Sequence, residues 1–297
     1  ATPWGSWLSC EECFEAPGTR LSGLRMVSRD QRHGYVFEVP ATARGLVQAQ
    51  PIKAMGRFEH EACAVHETTG IVYMTEDRHH SLFYRYLPDT PGKLIDGGRL
   101  QALALDGHGT VMTHNWSTKT RIPLNTSLTV RWIDLDEVDP EKNDLRLRGA
   151  AAGAATFARG EGLCVAGDRF AFTCTNGGPA RAGQVFTYTP SQLEGTPQET
   201  EEPGQLTLIA EAEADSLLQN GDNLTMAPWG DLIVCEDTAS HCGLVGIRPD
   251  GSQYPLADNP YSNSELAGAC FSPDGGILFL NIQYPGMTLA ITGPWPT

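Results

Sequence analysis

The sequence contains no apolar run close to the roughly 20 residues that a membrane-spanning helix needs. It also lacks the Gly-x-Ser-x-Gly elbow of serine hydrolases and the Gly-x-x-x-x-Gly-Lys-Ser/Thr loop that binds nucleotide phosphates. Charged residues make up only 19% of the chain, and the acids outnumber the bases to give a net charge of -15. Nucleic acids and anionic membranes are therefore poor partners for this protein.

The chain has many turn-forming residues, with 32 glycines and 20 prolines among 297 residues. Short β-prone runs lie between these turns, for example at 70–75, 169–175 and 231–235, and few segments have a helical pattern. Strands at this density predict an all-β fold. A hydrophobic content of 40% is enough for a sizeable core.

A longer repeat organises these strands. Residues 60–86, 161–188, 222–247 and 264–292 each read as an acid, a short apolar strand, a turn, a second strand with a polar end, and a third strand. This order is typical of a β-propeller blade, and about 45 residues per blade predict about six blades in one domain of residues 1–297. Residues 4–12 read as a second strand without an innermost partner, which predicts an incomplete first blade.

One stretch does not follow the repeat. Residues 134–156 contain several acids, a proline and an alanine-rich run interrupted by glycine. Alanine favours a helix, whereas glycine and proline interrupt it. We expect a small, partly helical insertion at this point.

The blade-opening acids form the most informative set of polar residues. In a propeller these residues come from different blades and approach the central axis, where carboxylates could hold a cation. The alternatives are ordinary surface acids, or a calcium ion that only closes the channel. The set comprises Glu61, Glu161, Asp222 and Glu265, with Asn223 beside one of them.

A second set of acids ends the second strands. Three such strands close on a cysteine or threonine followed by two acids, and strand alternation turns Cys10 and Glu12 one way and Glu11 the other. Hard oxygen ligands suit calcium, whereas a thiolate suits iron or another transition metal. A buried, apolar Cys10 is the alternative. The acids concerned are Glu11, Glu12, Glu76, Asp77, Glu236 and Asp237.

Two arginines lie close to these acids in the sequence. Arg159 is two residues before Glu161, and Arg78 follows Glu76-Asp77. A guanidinium group can bind two phosphate oxygens at once, so both arginines could bind a phosphate group. Ordinary surface arginines are the alternative.

Several of these strings resemble the PhoX-type alkaline phosphatases along nearly the whole chain. The resemblance starts with Thr-Pro-Trp-Gly-Ser-Trp-Leu-Ser-Cys-Glu-Glu at 2–12 and includes Arg-Phe-Glu-His-Glu-Ala at 57–62, Val-Tyr-Met-Thr-Glu-Asp at 72–77, Arg-Gly-Glu-Gly at 159–162, Asp-Asn-Leu at 222–224 and most of 264–295. It implies a β-propeller with Ca²⁺ and Fe³⁺ at its axis that hydrolyses phosphomonoesters.

The resemblance also implies roles for individual residues. Cys10 would be the thiolate ligand of iron, and Glu11 or Glu12 would act with Glu61 and Glu161 as carboxylate ligands. Arg159 would hold the substrate phosphate. We predict Arg159 and Arg78 as the substrate-binding residues, and Arg159 and Glu161 as the catalytic residues. Further metal ligands would come from Glu76, Asp77, Asp222, Asn223, Glu236 and Glu265.

The expected partner is a small-molecule phosphate ester, and we expect a monomer without a membrane span. The resemblance implies export by the twin-arginine route to the periplasm or the medium. The sequence starts at Ala1 without a signal peptide, which we interpret as a processed or trimmed sequence.

Two other functions fit the same acids. A calcium-dependent lactonase or organophosphate hydrolase could hold one catalytic calcium through Glu61, Asn223 and Asp222. A non-catalytic propeller could use calcium only to hold its blades together.

Overall fold

The structure is a computed structural model that describes residues 1–17, 30–107, 109, 111–117, 119 and 121–295. These residues form antiparallel strands almost throughout. The strands are β1 (Ser6–Cys10), β2 (Val36–Pro40), β3 (His60–Val65), β4 (Val72–Glu76), β5 (His79–Ser81), β6 (Tyr84–Pro88), β7 (Gly98–Leu105), β8 (Ser127–Asp134), β9 (Phe157–Ala158), β10 (Gly160–Ala166), β11 (Arg169–Cys174), β12 (Gln184–Thr189), β13 (Gln205–Glu211), β14 (Gly221–Met226), β15 (Leu232–Glu236), β16 (Gly243–Ile247), β17 (Gln253–Asp258), β18 (Leu266–Phe271), β19 (Ile277–Ile282) and β20 (Met287–Thr292).

The strands group into sheets in chain order. Strands β3-β4-β6-β7 and β10-β11-β12-β13 form two four-stranded units, which β8 joins into one nine-stranded sheet by pairing with both β7 and β13. Strands β14-β15-β16-β17 and β18-β19-β20 form two further sheets, while β1-β2 and β5-β9 are two-stranded. The innermost strands β3, β10, β14 and β18 lie side by side in that order.

This radial arrangement confirms the predicted all-β propeller. Among the described residues it comprises four blades, two of which β8 joins into one sheet, and the two-stranded sheet β1-β2. Between β7 and β10 the chain forms β8, a helix and β9 in place of a blade. The prediction that residues 1–297 form one domain stays a prediction. No helix among the described residues has the length and apolar character to cross a membrane.

The core lies between neighbouring sheets. In β15, Ile233 packs into the cluster shared with β18-β20, and the adjacent Val234 packs into the cluster shared with β10-β13. Successive strand residues point to opposite faces, so a sheet covered on both faces needs a continuous apolar run. Between the first two four-stranded units, the ring of Phe172 stacks on those of Phe83 and Phe186 at centroid distances of 4.5 and 5.3 Å.

The predicted insertion contains one helix, α1 (Leu145–Ala151), within the described residues. The helix begins four residues before the glycine- and alanine-rich run, because Leu145 is buried in the core beside β3-β7. Gly153 follows the helix with φ +103°, a conformation that L side chains rarely adopt. The chain then returns through β9 to β10.

Candidate metal centre

Three of the innermost strands share one irregularity near their first residues. The ladder between β3 and β4 pairs His60 with Glu76 and resumes at Cys63, so that β3 carries one extra residue. The ladders of β10 and β14 are interrupted in the same way after Gly160 and Gly221. A β-bulge of this kind redirects the side chains that it contains. The first bulged residues are Glu61, Glu161 and Asp222.

These three acids lie on three different innermost strands, β3, β10 and β14, and meet at one point. One carboxylate oxygen of each residue lies within 4.8 Å of the other two. The side chain of Glu161 is only 3% exposed, and its Oε1 atom is buried without accepting a hydrogen bond of good geometry. Several carboxylate oxygens around one point match the ligand preference of a hard cation such as Ca²⁺. We refer to Glu61, Glu161 and Asp222 as the acidic triad.

The electrostatics of the triad support this interpretation. Burial, followed by the charge of Asp222, raises the pKa of Glu161 to about 11. Burial also raises the pKa of Glu61 to about 9, with Glu12 as the next cause, and the pKa of Asp222 to about 7, with Glu265 as the next cause. Carboxyl groups held this close retain protons unless a cation balances their charge.

Contacts between sheets hold the bulges together. A Cβ atom on Gly162 would lie 2.8 Å from the backbone of β14, so the close approach of β10 and β14 requires glycine there. Thr75 on β4 donates a 2.5 Å hydrogen bond from Oγ1 to the carbonyl oxygen of Glu161. Thr173 on β11 makes the equivalent bond to the carbonyl oxygen of Asp222. The second strands β4 and β11 therefore each position the bulge of the next innermost strand.

The first acid of each strand ending points away from the triad. Oε2 of Glu11 accepts hydrogen bonds from the backbone N–H groups of Gly34 at 2.9 Å and Tyr35 at 3.1 Å. Its Oε1 atom lies 2.7 Å from Nδ1 of His33. These contacts tie β1 to the segment before β2.

Glu76 and Glu236 occupy the same place in their blades. Oε2 of Glu76 accepts a 2.8 Å hydrogen bond from the hydroxyl of Tyr84. The two oxygens of Glu236 accept backbone hydrogen bonds from Gln219 at 2.8 Å and Gly243 at 3.1 Å. Burial raises the pKa of both acids, in Glu76 to about 7. The structure thus places these two carboxylates among neighbouring strands and turns, outside the acidic triad.

The second acid of each ending interacts electrostatically with the triad. The charges of Glu12 and Asp77 contribute to the raised pKa of Glu61, and that of Asp237 contributes to the raised pKa of Asp222. Strand alternation explains why adjacent acids separate in this way. The triad is therefore surrounded by further carboxylates from β1, β4 and β15.

Arg159 links these acids. Its Nε and Nη2 atoms donate hydrogen bonds of 2.6 and 2.8 Å to the two carboxylate oxygens of Asp77, and Nη2 lies 3.0 Å from Oε1 of Glu161. The paired carboxylates raise the pKa of Arg159 further above its usual value. Its backbone has φ +57°, a strained conformation of the kind found at functional sites.

Arg78 lies next to Arg159, and its side chain is more exposed to solvent. Its Nε atom is 2.7 Å from Oε2 of Glu59, and its side chain is 45% exposed. The backbone carbonyl of Arg78 accepts a hydrogen bond from the N–H of Arg159. The two arginines are therefore neighbours, although their side chains pair with different acids.

Cys10 has a partner that sequence patterns did not indicate. Its Sγ atom lies 3.7 Å from Sγ of Cys63, and both thiols are free. The contact with Cys63 is the main cause that raises the pKa of Cys10, followed by burial, and the charge of Glu61 contributes. Two thiols therefore border the acids. Sequence patterns do not indicate this contact because the bulge in β3 lies between His60 and Cys63 and changes the direction of Cys63 relative to Glu61.

The fourth blade departs from the pattern. Its bulge follows Ala267, and the place of the triad acids is taken by Gly268 with φ +64°. Glu265 precedes β18, where its Oε2 accepts a 2.9 Å hydrogen bond from Nε2 of Gln283. Oδ1 of Asn223 accepts a 3.0 Å hydrogen bond from the N–H of Gly268 and so connects β14 to β18.

A solved structure shares this architecture. Pseudomonas fluorescens PhoX, solved in complex with vanadate, a transition state analogue, aligns with 95% of this chain at a TM-score of 0.69 and 21% identity. The chain spans 63% of the length of that protein. A streptogramin B lyase aligns with 100% of this chain and 76% of its own at 10% identity and a TM-score of 0.37.

A second lyase is similarly distant. The virginiamycin B lyase from Staphylococcus aureus aligns with 82% of this chain and 72% of its own at 11% identity and a TM-score of 0.34. A search of curated protein sequences returns no significant match. The profile of the family described as alkaline phosphatase PhoX matches residues 1–286, which include every element of the candidate centre. This chain therefore belongs to the PhoX alkaline phosphatase family.

Proposed function

We propose that this chain is a metal-dependent phosphomonoesterase whose acidic triad binds the metal and whose Arg159 binds the phosphate. The observation that carries the proposal is the approach of Glu61, Glu161 and Asp222 from three blades to within 4.8 Å, beside a guanidinium group. Membership of the family supports the same activity.

The residues present fit a metal. Oε1 of Glu161 is a buried oxygen without a hydrogen bond of good geometry, and the pKa of each triad acid is raised in the absence of a cation. We propose Ca²⁺ for the triad, assisted by Glu12, Asp77 and Asp237, since carboxylate oxygens match that ion. We propose Fe³⁺ next to Cys10, because cysteine thiolates bind iron and other transition metals, whereas Ca²⁺ takes oxygen ligands. Such ions, when bound, supply a nucleophile at moderate pH and balance charge on phosphoryl oxygens.

Arg159 is suited to bind the substrate. Its two bonds to Asp77 use Nε and Nη2, which leaves Nη1 to donate to a phosphate oxygen. The side chain is 35% exposed, so a soluble ester can reach it. The fixed fork of Arg159 would orient the phosphate over the triad, and Arg78 would attract the dianion from the rim.

The overall reaction is R–O–PO₃²⁻ + H₂O → R–OH + HPO₄²⁻. Water forms the new P–O bond, the bond from phosphorus to the ester oxygen breaks, and one proton of the water ends on the leaving alcohol. Within the protein, Asp77 and Glu161 hold Arg159 in place from two sides. Arg159 thus keeps the phosphorus aligned during the displacement.

The remaining metal ligands and the setting are also proposals. Glu11, Glu76 and Glu236 accept hydrogen bonds from the protein, so we assign them to positioning the strands that carry the centre. Asn223 and Glu265 lie beside the triad and would support Asp222. The family is typically exported, and we propose a periplasmic or secreted monomer that reaches its location by the twin-arginine route.

Hydrolysis of p-nitrophenyl phosphate tests the proposal. We expect activity that is lost in chelator and restored by calcium, together with calcium and iron in total metal analysis of the purified protein. Hydrolysis of lactones or phosphotriesters without phosphomonoesterase activity would favour the lactonase or organophosphate hydrolase class. Bound calcium without activity on any of these esters would indicate a non-catalytic propeller.

A further inference from the structure

A cluster of aromatic and cationic side chains lies beside Arg159 and has no part in the metal centre. Strand β5 starts at His79, which pairs with Ala158, the residue before Arg159. The N–H of Thr175 donates a hydrogen bond to the carbonyl oxygen of Arg159. Asn176 follows Thr175, and its carbonyl oxygen accepts a 2.7 Å hydrogen bond from Nε1 of Trp116. The cluster, which we call the ring shelf, comprises His79, His80, His114, Trp116 and Arg181.

The ring shelf is built around Trp116. The guanidinium carbon of Arg181 lies 4.4 Å from the centroid of the Trp116 ring, and the ring of His114 lies 4.3 Å from the same centroid. His80 meets Trp116 edge-on at 5.6 Å. The guanidinium of Arg181 therefore lies over the Trp116 ring, and the Arg181 side chain is exposed to solvent.

Two further observations indicate that this shelf binds a ligand. The described residues include seven non-glycine residues with positive φ, and His80, Asn115, Arg159 and Arg181 account for four of them. Backbone strain of this kind concentrates at functional sites. His114 is 1% exposed, and its ring lies between those of His80 and Trp116 at centroid distances of 4.7 and 4.3 Å. The shelf thus brings three ring systems together beside the exposed Arg181.

We propose that the ring shelf binds the alcohol part of the substrate, and that this part carries a planar aromatic ring or nucleobase. The inference rests on the proposed phosphatase function, since the phosphate would lie on Arg159. A guanidinium plane stacked on tryptophan is a platform for another π-system, because arginine stacks on aromatic faces and is weakly hydrated. Arg181 and the exposed His79 and His80 would then contact the ring of the ester.

Rates on two esters test this specificity. Adenosine 5′-phosphate carries a nucleobase, whereas glycerol 2-phosphate carries no ring. In the metal-loaded protein, Arg181→Ala is expected to lower kcat/KM for adenosine 5′-phosphate roughly tenfold, as expected for the loss of one stacking contact, and to change that for glycerol 2-phosphate less than twofold. Trp116→Phe, which keeps a ring under Arg181, should lose less than Trp116→Ala.

A matched control lies in another blade. Arg248 is stacked on Tyr254 at 4.5 Å from the ring centroid and belongs to neither the metal centre nor the shelf. Arg248→Ala removes the same type of contact and should leave both rates unchanged. If Arg181→Ala lowers kcat/KM equally for both esters, or for neither, the proposed role of the ring shelf is wrong.

A binding measurement separates this inference from the proposed function. Tryptophan fluorescence follows binding of adenosine 5′-phosphate without turnover. The two proposals can fail separately. If neither ester is hydrolysed, the phosphatase proposal is wrong. If adenosine 5′-phosphate still binds to the wild-type protein, and roughly tenfold more weakly to Arg181→Ala, the proposed binding role of the ring shelf is supported. Equal nucleotide affinity in the two proteins overturns the shelf whether or not the enzyme is active.

Discussion

Arg159 and Asp77 form a two-bond ion pair, with Nε–Oδ1 and Nη2–Oδ2 distances of 2.6 and 2.8 Å. Asp77 ends the second strand of one blade, and Arg159 precedes the innermost strand of the next. The pair therefore connects two blades at the mouth where the triad lies. It also holds the guanidinium in a fixed direction before any substrate binds.

Replacement of Arg159 by lysine tests the importance of that fork. Lysine keeps the charge but cannot make two parallel hydrogen bonds. Loss of one charge-assisted bond of about 1.5–3 kcal/mol predicts a fall in kcat/KM of roughly tenfold to a hundredfold, together with weaker inhibition by inorganic phosphate. Arg99→Lys is the control, because Arg99 pairs with Asp134 on the exposed surface of β7 and β8. Unchanged phosphate inhibition in Arg159→Lys would contradict the assigned role.

Adjacent acids on β1 should differ in their effects. Glu12 interacts electrostatically with the triad, so Glu12→Gln is expected to weaken metal binding by roughly tenfold to a hundredfold, the range for residues that support a metal site. Calcium titration followed by isothermal calorimetry measures the change. The same loss in Glu11→Gln would show that the two carboxylates are not separated as described.

Glu11→Gln should act on stability. Glu11 binds two backbone N–H groups and lies beside His33. Loss of its charge should lower the free energy of unfolding by about 1–2 kcal/mol while calcium affinity stays the same. Urea denaturation at fixed calcium concentration measures the stability change.

Replacement of Cys10 by serine tests the iron assignment. A hydroxyl is a poorer ligand than a thiolate for a transition metal. We expect iron content and phosphatase rate to fall together in Cys10→Ser, measured by total metal analysis and p-nitrophenyl phosphate hydrolysis. Cys270→Ser is the matched control, because Cys270 is an exposed free cysteine on β18. Wild-type iron and rate in Cys10→Ser would exclude the thiolate ligand.

The neighbouring thiol allows a further comparison. Cys63 lies 3.7 Å from Cys10 and would take part only if both sulfur atoms approach the metal. Loss of iron in Cys63→Ser as well as in Cys10→Ser would indicate that the pair acts together. Loss in Cys10→Ser alone would assign the ligand to one thiol.

The stability of the metal-free protein should depend on pH through the triad. Burial is the main cause that raises the pKa of Asp222 to about 7 and of Glu61 to about 9, whereas carboxyl groups in an unfolded chain titrate near pH 4. The folded state thus binds more protons than the unfolded state in this range. The contribution of Asp222 and Glu61 to stability is complete below about pH 4 and is lost as the pH rises through their folded-state pKa values of about 7 and about 9.

Calcium should reverse this loss. A bound cation favours the charged carboxylates, so the stabilisation by calcium should be greater at pH 9 than at pH 5. Thermal unfolding with EDTA and with excess calcium at both pH values measures the difference. A calcium effect that is equal at the two pH values, or greater at pH 5, would contradict calcium binding by the triad.

Sequence patterns predict the propeller and one part of the centre. The blade repeat identifies Glu61, Glu161 and Asp222 because each is an acid that opens an apolar innermost strand. The same rule predicts an equivalent role for Glu265. The fourth bulge lies one residue later in its ladder and contains Gly268 at the corresponding place. A shift of one residue has no signal in hydrophobic periodicity, since it depends on how two strands pair.

The strand endings show the same division. Alternation along β1 separates Glu11 from Glu12, and this local rule requires no knowledge of the rest of the fold. The same local rule does not predict the hydrogen-bond partners of each carboxylate. His33, Gly34 and Tyr35 lie more than twenty residues from Glu11, and only the pairing of β1 with β2 brings them to it.

The amino-acid sequence alone was sufficient for the all-β class, the blade repeat and the types of ligand atom, because turn chemistry and strand alternation act between near neighbours. The tertiary structure decided which acids meet, that Asp77 pairs with Arg159, that Cys10 faces Cys63 and that Arg181 stacks on Trp116. These contacts join residues that are far apart in the sequence. Their geometry depends on how the blades pack around the axis, which no local pattern encodes.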